Sequence, residues 1–198
     1  MKVRSLVVGI FMVLAFAGTA SAQIQSSVMA GVNFATVRGD IDEDDVIKQK
    51  VRTGGAFGVG FAFPTGSDKV KFDLGFLYSQ EGAKAEGGGV SGTFEMDYVR
   101  IPMLFRIGVG SGSGGYLLVG PSVGVLVRAR GVSDGESDDI KDEQKQADVG
   151  LAVGAGANIR NFFLQGTYTF GTIDVNKPGT SIFANRNSLV TVLVGARF

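Results

Sequence analysis

The stretch "GAFGVGFAF", Gly55 to Phe63, decides the fold. Side chains of an extended strand alternate between two faces. Phe57, Val59, Phe61 and Phe63 therefore share one face, and Ala56, Gly58, Gly60 and Ala62 share the other. A half-buried strand of a soluble sheet shows water Lys, Glu, Thr or Ser on its outer face. Here one face is bulky and apolar and the other is nearly bare. The remainder of the chain has to explain that asymmetry.

Seven more segments alternate in the same way. They are Ser27 to Val37, Lys69 to Gln80, Phe94 to Gly108, Tyr116 to Ala129, Ala147 to Ala157, Phe162 to Gly171 and Leu189 to Phe198. Each has a face without charge, such as Phe72, Leu74, Phe76 and Tyr78 in the third strand. The opposite faces carry Gly, Ala, Ser and Thr, mixed with Lys71, Asp73, Arg100, Arg106, Arg128, Asp148, Gln165 and Arg197. Leu104, Leu126, Phe163 and Leu193 fall there too. Phe94, Met96 and Tyr98 are out of phase with Val99 onward, which predicts a bulge near Tyr98 or an extension beyond a membrane.

The start of the chain sets the compartment. "MKVRSLVVGIFMVLAFAGTASAQ" has a basic leader (Lys2, Arg4), an apolar run from Leu6 to Gly18 and the small-x-small site Ala20-Ser21-Ala22. It reads as a secretory signal over residues 1–22, with a barrel domain over 23–198. Cleavage leaves 176 of the 198 residues, with 17 basic groups against 19 acidic ones. That balance offers nothing to nucleic acid. After Ala22 no apolar run reaches the ~18 residues of a spanning helix. An exported chain of positive mean hydropathy without such a helix points to spanning strands.

The connections alternate in length. Long links run from about Arg38 to Arg52, Glu81 to Thr93, Arg130 to Gln146 and Thr172 to Ser188. Short ones are Pro64 to Asp68, Val109 to Gly115 and Asn158 to Asn161. Outer-membrane barrels have long extracellular loops and short periplasmic turns. The sequence thus predicts a monomeric, all-β, eight-stranded antiparallel up-and-down transmembrane barrel. Its bulky face meets lipid, and its sparse face fills a narrow lumen in which Gly and Ala leave room for Arg and Lys. The alternative, a soluble eight-stranded barrel, would put large residues inside and charges outside. A small, Gly-rich polar face and the ending "VTVLVGARF" weigh against it.

The segments "MAGVNFA", "TGGAFGVGFAFP", "LGFLYSQEGAK", "YVRIPMLFRI", "LLVGPSVGVLV", "VGAGANI" and "VLVGARF" resemble, in the same order, those of PorT-like outer-membrane β-barrel domain proteins of Gram-negative bacteria. The resemblance implies an eight-stranded barrel in the outer membrane and no single activity. It also implies that Val194, Ala196 and Phe198 form the C-terminal signal read by the barrel-assembly machinery. Membrane lipid and lipopolysaccharide are the implied surroundings.

Chemistry has few carriers in this chain. Catalytic outer-membrane barrels resemble one another in using a histidine, and this sequence has neither histidine nor cysteine. No cofactor is expected. The lumen charges Lys71, Asp73, Arg100, Arg106, Arg128, Asp148 and Arg197 read either as a salt-bridged plug or as a narrow anion-selective pore. Glu95 and Asp97 join them if the upper part of their strand turns inward. The acidic stretches Asp40 to Asp45 and Ser133 to Asp139 read as solvated loops. Counted from Asp134, the sixth and twelfth positions are Asp139 and Lys145, so no EF-hand forms. "GVGSGSGGY" lacks the Lys-Ser/Thr ending of a phosphate loop and reads as a turn.

Pro102 and Pro121 each remove a ladder donor from a strand. They lie at one height on neighbouring strands but on opposite faces, hence one residue out of step. Two expectations remain open there, a bulge that curves the barrel or a weak seam. Three functions likewise remain open: a structural or adhesive body acting through its loops, a narrow channel for small solutes, or an accessory component of an envelope secretion complex.

Overall fold

Alternating β-branched and aromatic residues favour strands, and lipid forbids unpaired strand edges, so the chain closes on itself. The structure, a computed structural model, describes residues 24–39, 48–87, 90–110, 114–133, 136–139, 146–174 and 185–198. The signal segment 1–22 and the acidic stretch Asp40 to Asp45 lie outside the described residues. The strands are β1 (Gln25–Gly39), β2 (Lys48–Ser67), β3 (Val70–Gly87), β4 (Val90–Gly108), β5 (Gly115–Ser133), β6 (Glu136–Asp139), β7 (Ala147–Ile159), β8 (Phe162–Asp174) and β9 (Asn185–Arg197).

Every pairing is antiparallel. β1 to β5 pair in sequence, β5 continues to β7, and β7, β8 and β9 lead back to β1. Registers from Ser27↔Arg197 to Gly39↔Asn185 close the eight-stranded ring. The short β6 stands outside it, paired with the upper end of β5 from Arg130↔Asp139 to Ser133↔Glu136.

The two faces sort as the alternation requires. Phe57 is 59% exposed, whereas Ala56 is 3% exposed. Phe76, Phe105, Leu117, Leu151 and Val194 point outward, and Leu104, Leu126, Phe163 and Leu193 are buried inside. An apolar surface facing outward over polar and charged side chains inside is a barrel built for lipid rather than water. On the outer wall Phe63, Phe72 and Phe105 form a row across three strands, with centroids 6.2 and 5.6 Å apart. Such rows belong to the aromatic girdle at a membrane interface.

That row sits next to the short-turn rim, which is itself hydrogen-bonded from strand to strand. Gly108 N donates to Lys69 O (2.7 Å), Asn158 N to Gly114 O (2.7 Å), Arg197 N to Asn161 O (2.7 Å) and Phe198 N to Ser26 O (2.9 Å). This is the periplasmic rim by the usual asymmetry of such barrels.

The opposite end departs from the sequence reading. The long link Glu81 to Thr93 is mostly strand: β3 and β4 stay paired up to Gly87↔Val90. Lys48 to Val51 pair with Ala83 to Glu86 in the same ribbon. Lipid imposes the bulky alternation that makes a strand visible. Beyond the lipid the backbone ladder continues while the side-chain pattern fades, and the extension reads as a loop.

The bulge expected near Tyr98 is present in the β4–β5 ladder, between Asp97 and Tyr98, but its extra residue is on β5 rather than β4. β4 keeps one register against β3 from Leu77↔Arg100 to Gly87↔Val90, and Met96 and Tyr98 are buried with Arg100. The extra residue is Val127 of β5: Asp97 faces Arg128, Tyr98 faces Leu126, and Val127 faces nothing. At the prolines there is no bulge. Pro102 pairs with Ser122, and the same register resumes at Phe105↔Val119.

Candidate functional site

The lumen carries its ionic groups in two tiers. In the upper tier, the alternation of β3 places Ser79 and Glu81 inside, β4 supplies Tyr98 and Arg100, and β7 supplies Asp148. Arg100 meets Glu81 with both ends of its fork, Nε to Oε1 and Nη2 to Oε2 at 2.6 Å. Nη2 also donates to Asp148 Oδ2 at 2.6 Å. Glu81 is 0% and Arg100 3% exposed. Bidentate guanidinium–carboxylate bonds are the strong form of this contact, and a buried charge needs them.

The network continues around the wall. Ser79 Oγ donates to Glu81 Oε1 at 2.7 Å, Asn33 Nδ2 to Ser79 Oγ at 2.8 Å, and Thr191 Oγ1 to Asn33 Oδ1 at 2.9 Å. Residues of β9, β1, β3, β4 and β7 thereby form one belt. Above it, Arg52 donates to the backbone oxygen of Glu81 and, at 3.1 Å, to Glu95 Oε1. Gly124 makes the room: a Cβ there would stand 3.3 Å from Arg100 Nη1 and 3.2 Å from Tyr98 Cδ1.

The lower tier is built from β3, β4, β5, β8 and β9. Arg106 Nη2 pairs with Asp73 Oδ1 at 2.7 Å. Tyr116 lies between two guanidiniums, its centroid 5.5 Å from Arg106 Cζ and 5.6 Å from Arg197 Cζ. Arg197 also sits 4.3 Å from the Phe163 ring, which occupies space that a Cβ on Gly195 would fill. The Tyr116 hydroxyl donates to Gln165 Oε1 at 3.3 Å. With Lys71, this tier has three cations to one carboxylate.

Between the tiers lies a cavity of about 60 Å³, bordered by Met29, Pro102, Leu104 and Ser122. Below the lower tier the lumen widens into a mouth of about 320 Å³ at the short-turn rim.

Asp73, Arg100, Arg106, Asp148 and Arg197 all stand in these tiers, and Lys71 lines the mouth. Arg128 does not join them. The extra Val127 turns it to the outer wall, where it is 44% exposed and 3.6 Å from Asp97 Oδ2. The Tyr78 hydroxyl donates to the same oxygen at 2.7 Å, so Asp97 also belongs to that outer group. Glu81 is a lumen carboxylate although its stretch of sequence reads as a loop. Its parity with Asp73, eight residues earlier on the same strand, was the available signal. Val194 and Phe198 are exposed on the outer wall. Among the described residues no group of three acidic side chains is placed to hold a metal ion.

A family model described as "Outer membrane protein beta-barrel domain" matches residues 16–176. No curated protein matches the chain. Among solved structures, Ail, the attachment invasion locus protein of Yersinia pestis, is similar at 18% identity and TM-score 0.48. The alignment covers 88% of this chain and 99% of that one. Neisserial surface protein A is similar at 12% identity and TM-score 0.49, over 87% and 97% of the two chains. OprG from Pseudomonas aeruginosa is similar at 14% identity and TM-score 0.43, over 89% and 97%. The chain belongs to the outer membrane protein beta-barrel domain family and lies in the outer membrane of a Gram-negative bacterium.

Proposed function

We propose that the barrel is a closed, non-catalytic membrane body whose work is structural or adhesive and is done at its extracellular end. One observation carries the reading: Arg100 is buried mid-lumen and held by Glu81 and Asp148 from two walls. A conducting path at this height would have to break that triad. The height of the wall supports the second half. β2 to β5 run 18 to 20 residues, whereas spanning takes about 9–11. The surplus stands above the membrane as paired ribbon, a stiff platform for contact with partners or lipopolysaccharide. Against catalysis stands the absence of histidine and cysteine, and the Ser79 hydroxyl that donates to Glu81 is buried.

Planar-bilayer recording tests the closure. The wild-type barrel should be silent, and Arg100→Ala should produce openings. Steady wild-type openings would overturn the closed reading. They would favour the narrow channel, which the cationic lower tier would make anion-selective. A third reading, an accessory subunit of an envelope secretion complex, is supported by the PorT-like segments alone. Co-purification in mild detergent tests it. For Val194, Ala196 and Phe198 we retain the proposal of an assembly signal, supported by the outward exposure of Val194 and Phe198 at the closing strand.

A further inference from the structure

We propose that the periplasmic mouth of the lumen is a binding site for a phosphate group. The mouth has the volume of a small-ligand pocket, about 320 Å³. Lys69, Lys71, Arg106, Arg160 and Arg197 line it, against the single carboxylate of Asp68. A concavity lined by one sign of charge concentrates the opposite ion. Asp73 answers only one guanidinium in the tier behind it. Among the described residues Arg197 makes no ion pair, and it leans on two aromatic rings instead.

A second observation points to a ligand. Arg106 is 6% exposed, yet its Nε–H has no hydrogen-bond partner. Asn158, on the same mouth, has its side-chain oxygen buried and unpartnered. Buried polar groups in a folded protein are normally satisfied, so an orphan donor and an orphan amide oxygen on two residues that line one cavity point to a missing partner. An anion answers the donor. One that also carries a hydroxyl answers the amide oxygen, and a protonated phosphate offers both. Guanidinium forks suit phosphate oxygens. The Tyr116 ring, fixed between Arg106 and Arg197, holds two such forks at the site before any ligand arrives.

The turn at the rim adds to this. Arg160 has φ of 56°, a left-handed conformation that Gly or Asn would occupy with less strain. The chain keeps an arginine there, and it lines the mouth. Strained positions of this kind cluster at ligand clamps.

The same chemistry can come from free phosphate esters in the periplasm or from phospholipid headgroups of the inner leaflet. The test separates them. The full mature barrel is placed in an amine-oxide detergent without phosphate and titrated with inorganic phosphate. Arginine Nε–H resonances are followed by NMR. The expected result is a saturable shift of the Arg106 signal and at least a tenfold weaker midpoint in Lys71→Gln/Arg160→Asn. Both substituted residues lie at the rim, so this variant keeps the Arg106–Asp73 pair and the fold. Repeating the titration in phosphatidylglycerol nanodiscs assigns the source. Loss of the shift with Arg106 already at its bound position means that headgroups fill the site. An unchanged titration means a soluble phosphate. No saturable shift in detergent, or the same midpoint in the variant, would overturn the proposal.

Discussion

The two tiers of the lumen solve one electrostatic problem in opposite ways. In the upper tier the guanidinium of Arg100 has two carboxylates, and hydrogen bonds carry the compensation on to Ser79, Asn33 and Thr191. In the lower tier Arg106 has the one carboxylate of Asp73, and Arg197 rests on the rings of Tyr116 and Phe163 instead. Access to water accounts for the difference. The belt is buried, with Glu81, Arg100 and Asp148 nearly out of reach of water, where an unmatched ion is most costly. The lower tier faces a wide mouth, and the Asp73 side chain is 23% exposed. Solvent there tolerates an excess of cations, and the excess stays available to a ligand. Arginines are therefore matched by carboxylates at one height and left in cationic excess at another.

The largest test of that contrast is to remove one arginine from each tier. Arg100→Ala takes from the buried Glu81 and Asp148 the guanidinium that joins them, and should cost about 3–5 kcal/mol. Arg106→Ala leaves a carboxylate that water can reach, and should cost about 1–2 kcal/mol. Urea unfolding in lipid vesicles measures both. Equal losses would mean that the tiers do not differ in hydration. A smaller effect sharpens the point: replacing Glu81, Arg100 and Asp148 together by leucine should restore stability to within about 1–2 kcal/mol of wild type, because apolar packing can substitute for a buried ionic group. If the triple variant is as weak as Arg100→Ala, bulk rather than charge holds the belt.

How much of this was legible follows from what writes the pattern. Lipid wrote Phe57, Phe76, Phe105 and Leu151 into every second position, so strands, faces and closure could be read directly. Asp73, Arg100, Arg106, Asp148 and Arg197 could be read as the charged remainder on the other face. Glu81 could not be read so easily, because it lies where the lipid pattern has faded and "EGAKAEG" resembles a loop. Continuing the parity of β3 past Gln80 would have found it. Arg128 fell on the wrong side because parity fails across a bulge. Val127 is apolar, continues the run Val123, Val125, Val127, and hides the extra residue. The tiers themselves were out of reach, since they join strands distant in sequence, as Thr191 and Asn33 do.

The smallest expected effect concerns the wall between the tiers. Pro102 faces the intervening cavity, and the β4–β5 ladder is broken between Pro102↔Ser122 and Phe105↔Val119. On the other side of β4 the ladder is broken between Leu74↔Met103 and Leu77↔Arg100. The closing ladder between β1 and β9 runs unbroken at Val192 and Val194. A strand short of ladder bonds on both sides opens locally with less free energy than one fully paired. Amide exchange at Met103 and Ser122 should therefore be about tenfold faster than at Val192 and Val194 in the lipid-embedded barrel. Gly75 tempers the effect: a Cβ there would stand 2.8 Å from Pro102 Cγ, so β3 already presses against the ring and limits the opening. Equal exchange rates would remove the seam. The buried belt and the cationic mouth would then be two ends of one rigid wall, and the contrast between them would rest on hydration from the rim alone.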